Sequence, residues 1–259
     1  MTPLDLIHDL HWAALPAPVQ AQTKLALRDL IGVAAGGMGT RLSAMIRAHA
    51  ADQFGGAQPM LFDTRSASAA GVALATGMTI DALDGHDGFN PSKGHIGCPL
   101  FAAMLPVAHE CGTSGQEFLA TLAMGYEFGA RAAIAQHATC ADYHTSGSWG
   151  AVTATAACAR LMGLTRDQTR HALGIAEYHG PRSQMMRCID HPTMVKDGSG
   201  WGAMAGVLGG ISCQKRLYRR ACHHGRGRAA ILGRYRHALV RAGTILQTLP
   251  RLPLGAGPD

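Results

Sequence analysis

An all-α fold, a large helical domain of closely packed Ala/Gly-rich helices, is what this 259-residue sequence predicts. Three observations carry the expectation. Apolar residues recur at i, i+3 and i+4 along most of the chain. Helix-start signals open several of these runs. No region alternates apolar with polar residues convincingly or joins β-branched stretches through hairpin turns. Small side chains within the helical periods let backbones draw together, so buried helices packed on helices are expected.

The elements follow in order. Val19 to Ala35 carries Leu25, Leu27, Leu30, Ile31 and Val33, is entered after Pro16 and Pro18, and closes at Gly36-Gly37. Leu42 to Gln53 and Ser66 to Ala82 come next, the second built largely of Ala, Gly and Ser, and Met60 to Asp63 reads as a short strand. Pro99 to His109 is short and apolar. Ser114 at N-cap and Glu117 at N3 form a capping box that opens a helix with Phe118, Leu119, Leu122 and Tyr126 on one face. Thr165 and Gln168 repeat the device before His171 to Ala176, and Gly150 to Met162 and Gly202 to Ile211 are Ala/Gly-rich runs. The 12 methionines read as core filler.

Chemistry concentrates in DALDGHDGFNPSKGHIGCP, Asp81 to Pro99, where three acids, two histidines, a lysine and four glycines lie between two small-residue helical runs. A packed core has no use for so many ionisable groups, and a solvated linker is not normally framed by apolar segments. Two further loops share the design. His144 lies in ADYHTSGSWGA, where Thr145, Ser146 and Ser148 offer hydroxyls and the next helix offers free backbone donors for an anion. Lys196 lies in HPTMVKDGSGWGA, again before a Gly/Ala-rich helix; a lysine there opposes the helix dipole and needs an acid, with Asp197 beside it, or a bound anion. Together the loops imply a positively biased pocket suited to carboxylates. His179 and His191, near Gly180-Pro181 and Pro192, read as turn residues. A metal site from His86, Asp87 and His95 is a weak signal without an HExxH-like spacing, and Cys98 is a burial residue more than a nucleophile.

Several function classes are excluded. There is no phosphate-binding G-x-x-x-x-G-K-[ST], and Gly36-Gly37-Met38-Gly39 lacks a preceding strand. There is no G-x-S-x-G elbow. No run of about 18 uncharged apolar residues reads as a membrane span. The start, MTPLDLIHDLHW, has acids and no basic stretch, which argues against a signal peptide and for a cytoplasmic location. The seven cysteines contain no C-x-x-C pair and read as reduced, mostly buried thiols.

The net charge of +6 is unevenly spread. Residues 1–213 hold 13 basic and 16 acidic residues, a net of −3, whereas 214–259 hold 10 basic residues and the single acid Asp259, a net of +9. The tail reads either as a basic arm for nucleic acid or an anionic membrane, with an amphipathic helix across Ala229 to Leu249, or as the translation of a shifted frame in a GC-rich gene. The second fits its Arg, Gly, Ala and His content better.

Five ordered motifs, DALDGHDGFNPSKGHIGCPLFAAMLPVAHE, GYEFGARAA, YHTSGSWGAVTATAACARLMGLT, ALGIAEYHGPRSQ and MVKDGSGWGAMAG, resemble the MmgE/PrpD family, which includes 2-methylcitrate dehydratase, cis-aconitate decarboxylase and iminodisuccinate epimerase. The resemblance runs to about Ser212. It implies a large helical domain followed by a smaller α+β lid with the active site between them, a homodimer formed through the helical domain, and a small polycarboxylate substrate handled without a cofactor or metal. Carried over by motif, the family's acid falls on Asp84, with Asp87 as the second acid, its loop-closing histidine on His95, a further histidine on His144, and its lysine on Lys196. The Asp84-to-His95 interval is one residue longer than in decarboxylase-like members, and Gly88 or Phe89 stands where those carry a threonine, which points away from decarboxylation.

The implied chemistry is proton abstraction α to a carboxylate. Lys196 and His144 suit the anion-holding role and His95 that of general base or acid. Asp84 orients or polarises that histidine or takes the base role itself. Asp87, Lys93 and Ser146 are the expected substrate-binding residues. The resemblance stops where the tail begins, so residues 1–213 are expected to form the helical domain without the lid, and the chain alone to show little lyase activity. Two rivals predict otherwise: a catalytically silent helical dimerisation or regulatory module, and a nucleic-acid or membrane binder acting through the tail.

Overall fold

A computed structural model describes residues 2–190, 195–196 and 198–215. The tail from 216 onward, His191, Pro192 and Asp197 lie outside the described residues. Ten α-helices run in order among the described residues: α1 (Pro3–Asp9), α2 (Ala17–Gly37), α3 (Arg41–Gln53), α4 (Ala69–Asp81), α5 (Gly97–Glu110), α6 (Gly115–Thr139), α7 (Ser146–Leu161), α8 (Arg166–His179), α9 (Met186–Asp190) and α10 (Ser199–Gln214). One antiparallel ladder of two-residue strands, β1 (Gln58–Pro59) with β2 (Ser66–Ala67), interrupts them. The all-α expectation therefore holds.

Caps set where the helices begin. Thr40, Ser68 and Ser114 each accept a backbone N–H three residues on, and such a cap is worth about 1 kcal/mol. Thr165 and Gln168 form the full reciprocal box, as the sequence leads one to expect, and Thr2 with Asp5 forms a second. At Ser114 the box is only half made. Glu117 turns instead to Arg160, whose guanidinium also donates to the Ile7 and Leu10 carbonyls, so one charged group ties α1, α6 and α7 together.

Several boundaries depart from the sequence reading, and three of them have a visible cause. Met60 to Asp63 is a turn, not a strand: pairing stops at Pro59, and the Asp63 carboxylate gathers the Arg65 backbone N–H and the guanidinium groups of Arg65 and Arg47. Those contacts hold the Asp63 carboxyl well below the usual carboxylate range. Ser66 and Ala67 pair as β2, so the next helix starts three residues later, behind the Ser68 cap. Gly36 and Gly37 lie inside α2 rather than after it, because Gly37 passes the Thr79 carbonyl too closely for a Cβ. Of the six described cysteines, Cys98, Cys158 and Cys213 are buried, whereas Cys111 is exposed and Cys140 and Cys188 are half-buried; all are free thiols.

The core has two characters. Ile7, Leu30, Ile80, Leu100, Phe101, Met104, Leu122 and Met124 form a conventional large-residue cluster under α1, α2 and α6, each side chain worth roughly 1.5–3 kcal/mol of burial. Between α4, α5, α7 and α10 the packing is instead almost all Ala, Gly, Val and Cys. Every residue of α4 is buried. A Cβ on Gly77 of α4 would stand 2.6 Å from the Gly200 Cα of α10, and one on Gly202 would stand 2.5 Å from the Gly147 carbonyl oxygen of α7. Helices this close bring their ends, and the loops that enter them, to one place.

A methyl group at Gly147 would meet the Gly198 carbonyl directly, a backbone group that has no flexible end to move aside. Gly147→Ala is expected to cost about 1–3 kcal/mol or more in denaturant unfolding. Gly174→Ala, on the open face of α8 with nothing within 4 Å, should stabilise by up to about 1 kcal/mol.

Candidate active site

α4 ends on Asp81, a fully buried carboxylate at the negative end of the helix dipole. Such a placement is unfavourable unless a cation offsets it. Lys196 supplies one: its Nζ lies 3.7 Å from Asp81 Oδ1 and 3.6 Å from Asp84 Oδ1. Asp84 reaches that position by taking the left-handed conformation, φ 51°, just after α4, with its N–H on the Asp81 carbonyl. Aspartate tolerates this backbone better than most residues.

His95 completes the group. Its Nε2 is 3.3 Å from Asp84 Oδ1, and its Nδ1 lies 2.5 Å from the Asp87 carbonyl. A carbonyl only accepts, so Nδ1 carries the hydrogen, and Nε2 is the atom that takes or gives a proton opposite Asp84. The ring also lies over His86, centroids 4.0 Å apart at 37°, and His86 Nε2 is 3.9 Å from Asp81 Oδ1. The loop closes on itself at the Phe89–Gly94 bridge, with the Ser92 hydroxyl donating to both of those carbonyls.

The second loop straps across the first. Ser146 Oγ accepts the His95 N–H at 3.0 Å, and the Tyr143 hydroxyl donates to the Lys93 carbonyl at 2.5 Å. His144 between them is buried, not solvent-facing, with Nδ1 2.8 Å from the Asp142 carbonyl and its backbone bridged to Gln184. The N-terminus of α7 has no side-chain cap, and Thr145 Oγ1 is buried without a hydrogen-bond partner. Gly198, at the start of α10, lies against Thr145. The three loops that the sequence singles out therefore touch one another in pairs.

Not every expected residue stands at the centre. Asp87 is an architectural group: its Oδ2 accepts the Ile96 and Gly97 N–H groups at 3.3 and 3.1 Å, the start of α5, while Oδ1 is enclosed beside the Tyr126 hydroxyl. Burial pushes its carboxyl up, against the pull of those two donors and of His95. Burial beside Asp87 likewise raises the Tyr126 phenol. The Lys93 ammonium sits 6.0 Å from the Tyr143 ring centroid, in a group with His137 and His144. Burial, Lys93 and His144 together lower the His137 pKa. Cys98 is wholly buried with its thiol on the Gly77 carbonyl, which leaves it no nucleophilic role.

Asp81 and His86 are the residues that sequence reasoning left out of the site. Their signal was present in D-x-x-D-x-H, but only the return of Lys196 shows that Asp81 faces the same cation as Asp84. Asp81, Asp84 and His86 offer ligand atoms within 4.8 Å of one another. The Lys196 ammonium already meets two of the three, so the positive charge there is built into the chain. The weaker metal grouping of His86, Asp87 and His95 does not form, because the Asp87 carboxylate faces the α5 N-terminus.

No helix among the described residues is long and apolar enough to cross a membrane. Residues 4–215 match the family model for the MmgE/PrpD N-terminal domain. No curated protein matches the chain.

Asp87→Ala should cost about 1–3 kcal/mol by orphaning two helix-start donors, and Asp87→Asn, which keeps an acceptor, should cost less. The folded state holds the Asp87 proton more tightly than the unfolded state, so this group makes stability fall as pH rises from about 4 through its raised pKa. Asp87→Asn removes that component, which denaturant midpoints measured across pH will register.

Proposed function

We propose, on the premise that this chain belongs to the MmgE/PrpD family, that its loops form one wall of a cofactor-independent lyase or isomerase site for a small di- or tricarboxylate. The reaction is removal of a proton α to a carboxylate, followed by loss of a leaving group or reprotonation, in the manner of a 2-methylcitrate dehydratase. The observation that carries the reading is the contact chain Lys196, Asp84, His95: a cation 3.6 Å from the Asp84 carboxylate and an imidazole nitrogen 3.3 Å from the same oxygen.

Each group has a task that its geometry suits. Lys196, 29 % exposed, presents its ammonium to a substrate carboxylate while Asp81 holds it from below. His95 Nε2 moves the proton, and the strap at Ser146 and the Asp87 carbonyl keep its ring in place. The uncapped α7 N-terminus and Thr145 Oγ1 add donors for a second substrate carboxylate, while the Lys196 ammonium stabilises the enediolate-like charge on the first. His144 stands at the mouth of that helix. Asp84 is 61 % exposed, so water screens these contacts, and turnover by the described residues alone should be slow.

The second reading, a catalytically silent helical dimerisation module, is favoured by Trp201 and Leu208 on α10, each 45 % exposed. Thermal unfolding with citrate-like acids separates the two. The site reading predicts a rise of roughly 5 °C or more at about 100-fold the dissociation constant, lost in Lys196→Ala. A melting temperature unmoved by any di- or tricarboxylate supports the silent module. Turnover of 2-methylcitrate and cis-aconitate by the isolated chain is expected to be low or absent, and rapid conversion would contradict the screening argument.

A further inference from the structure

Side chains from three other helices hold α1 to the domain. Arg160 of α7, paired with Glu117 of α6, donates to the Ile7 and Leu10 carbonyls at 2.8 and 2.7 Å. Arg166 of α8 forks onto Asp5 at 2.7 Å and Asp9 at 2.6 Å. The His8 imidazole enters the same seam, its Nε2 3.0 Å from the hydroxyl of Thr169, which is fully buried on α8. Beneath it, Ile7 is buried in the large-residue cluster, with Leu4, Leu6 and Leu10 packed against that cluster. A helix of seven residues is marginal on its own, so these contacts decide whether α1 stays in place. Gln20 of α2 holds the Trp12 and Leu15 carbonyls at 3.0 Å each, which fixes the chain just beyond and leaves the stretch around His11 as the hinge.

We propose that α1 is an acid-released strap, docked at neutral pH and undocked from an otherwise folded domain once His8 takes up a proton. The charges facing His8 set the direction. They are Arg166 of α8, Arg160 of α7 and, from α1 itself, Asp9. Asp5 is already engaged by Arg166, and Glu117 of α6 by Arg160. Asp9 favours the imidazolium, but it too is paired with Arg166, so a protonated His8 would be a third cation beside two guanidinium groups. The bond to Thr169 survives protonation, because a hydroxyl accepts as readily as it donates. Burial first, then Arg166 and Arg160, lower the His8 pKa against the pull of Asp9. Once undocked, His8 returns to its ordinary value of about 6.5. Docking is therefore at full strength above that pH and weakens as pH falls below it.

Amide hydrogen exchange of the full chain at about pH 7.5 and about pH 5, each corrected for the intrinsic rate, tests this segment by segment. The amides of Leu6 to Leu10 should open several-fold more often at the lower pH, while those of α5 and α10 keep their protection. In His8→Gln, which keeps a hydrogen-bonding partner for Thr169 but carries no charge, α1 should open equally often at both pH values. Three results would overturn the strap: acid acceleration shared equally by α5 and α10, α1 protection unchanged between the two pH values, or acceleration that persists in a folded His8→Gln variant. Should His8→Gln fail to fold, the comparison of α1 with α5 and α10 in the wild-type chain decides alone.

Discussion

Backbone-to-backbone approach at glycine is the constraint on which the rest of this structure depends. Gly77 against Gly200, and Gly147 against Gly198 and Gly202, set α4, α7 and α10 so close that no side chain stands between them. The end of α4 and the starts of α7 and α10 then share one neighbourhood. Asp81 and Lys196, more than a hundred residues apart, become neighbours through this packing, and Ser146 reaches the His95 N–H. The large-residue cluster around Phe101 and Leu122 stabilises the domain, but the glycine contacts bring the three loops together.

Electrostatics then follows from position. A carboxylate buried at a helix C-terminus is tolerated because Lys196 returns to it. The same ammonium faces Asp84, whose left-handed backbone turns the chain toward His95. Asp87 is the acceptor for the two backbone donors that start α5. An acid that looks like its neighbours in sequence therefore holds a helix start, while Asp81, which looks like a helix end, faces the Lys196 ammonium.

Much of this was legible in the sequence because it is local. Period and capping residues placed most of the helices, and the Thr165–Gln168 box formed as read. Local reasoning failed where a distant partner competed. Arg160 drew Glu117 out of its box, Arg47 and Arg65 turned Met60 to Asp63 into a loop, and strand pairing took Ser66 from the next helix. Asp84, His95, His144 and Lys196 were legible as chemistry-bearing loops. The contact of Asp81 and His86 with them was not, since it exists only once α10 has packed on α4.

The central claim is that Lys196, Asp84 and His95 together remove a proton α to a carboxylate. Solvent exchange measures that step more directly than net turnover, and it registers even when no product leaves. Incubating the chain with citrate-like acids in deuterium oxide and following the α-proton signals by NMR should show protein-dependent loss of those signals, abolished in His95→Asn. Exchange no faster than in buffer alone, or exchange equally fast in His95→Asn, would contradict the account.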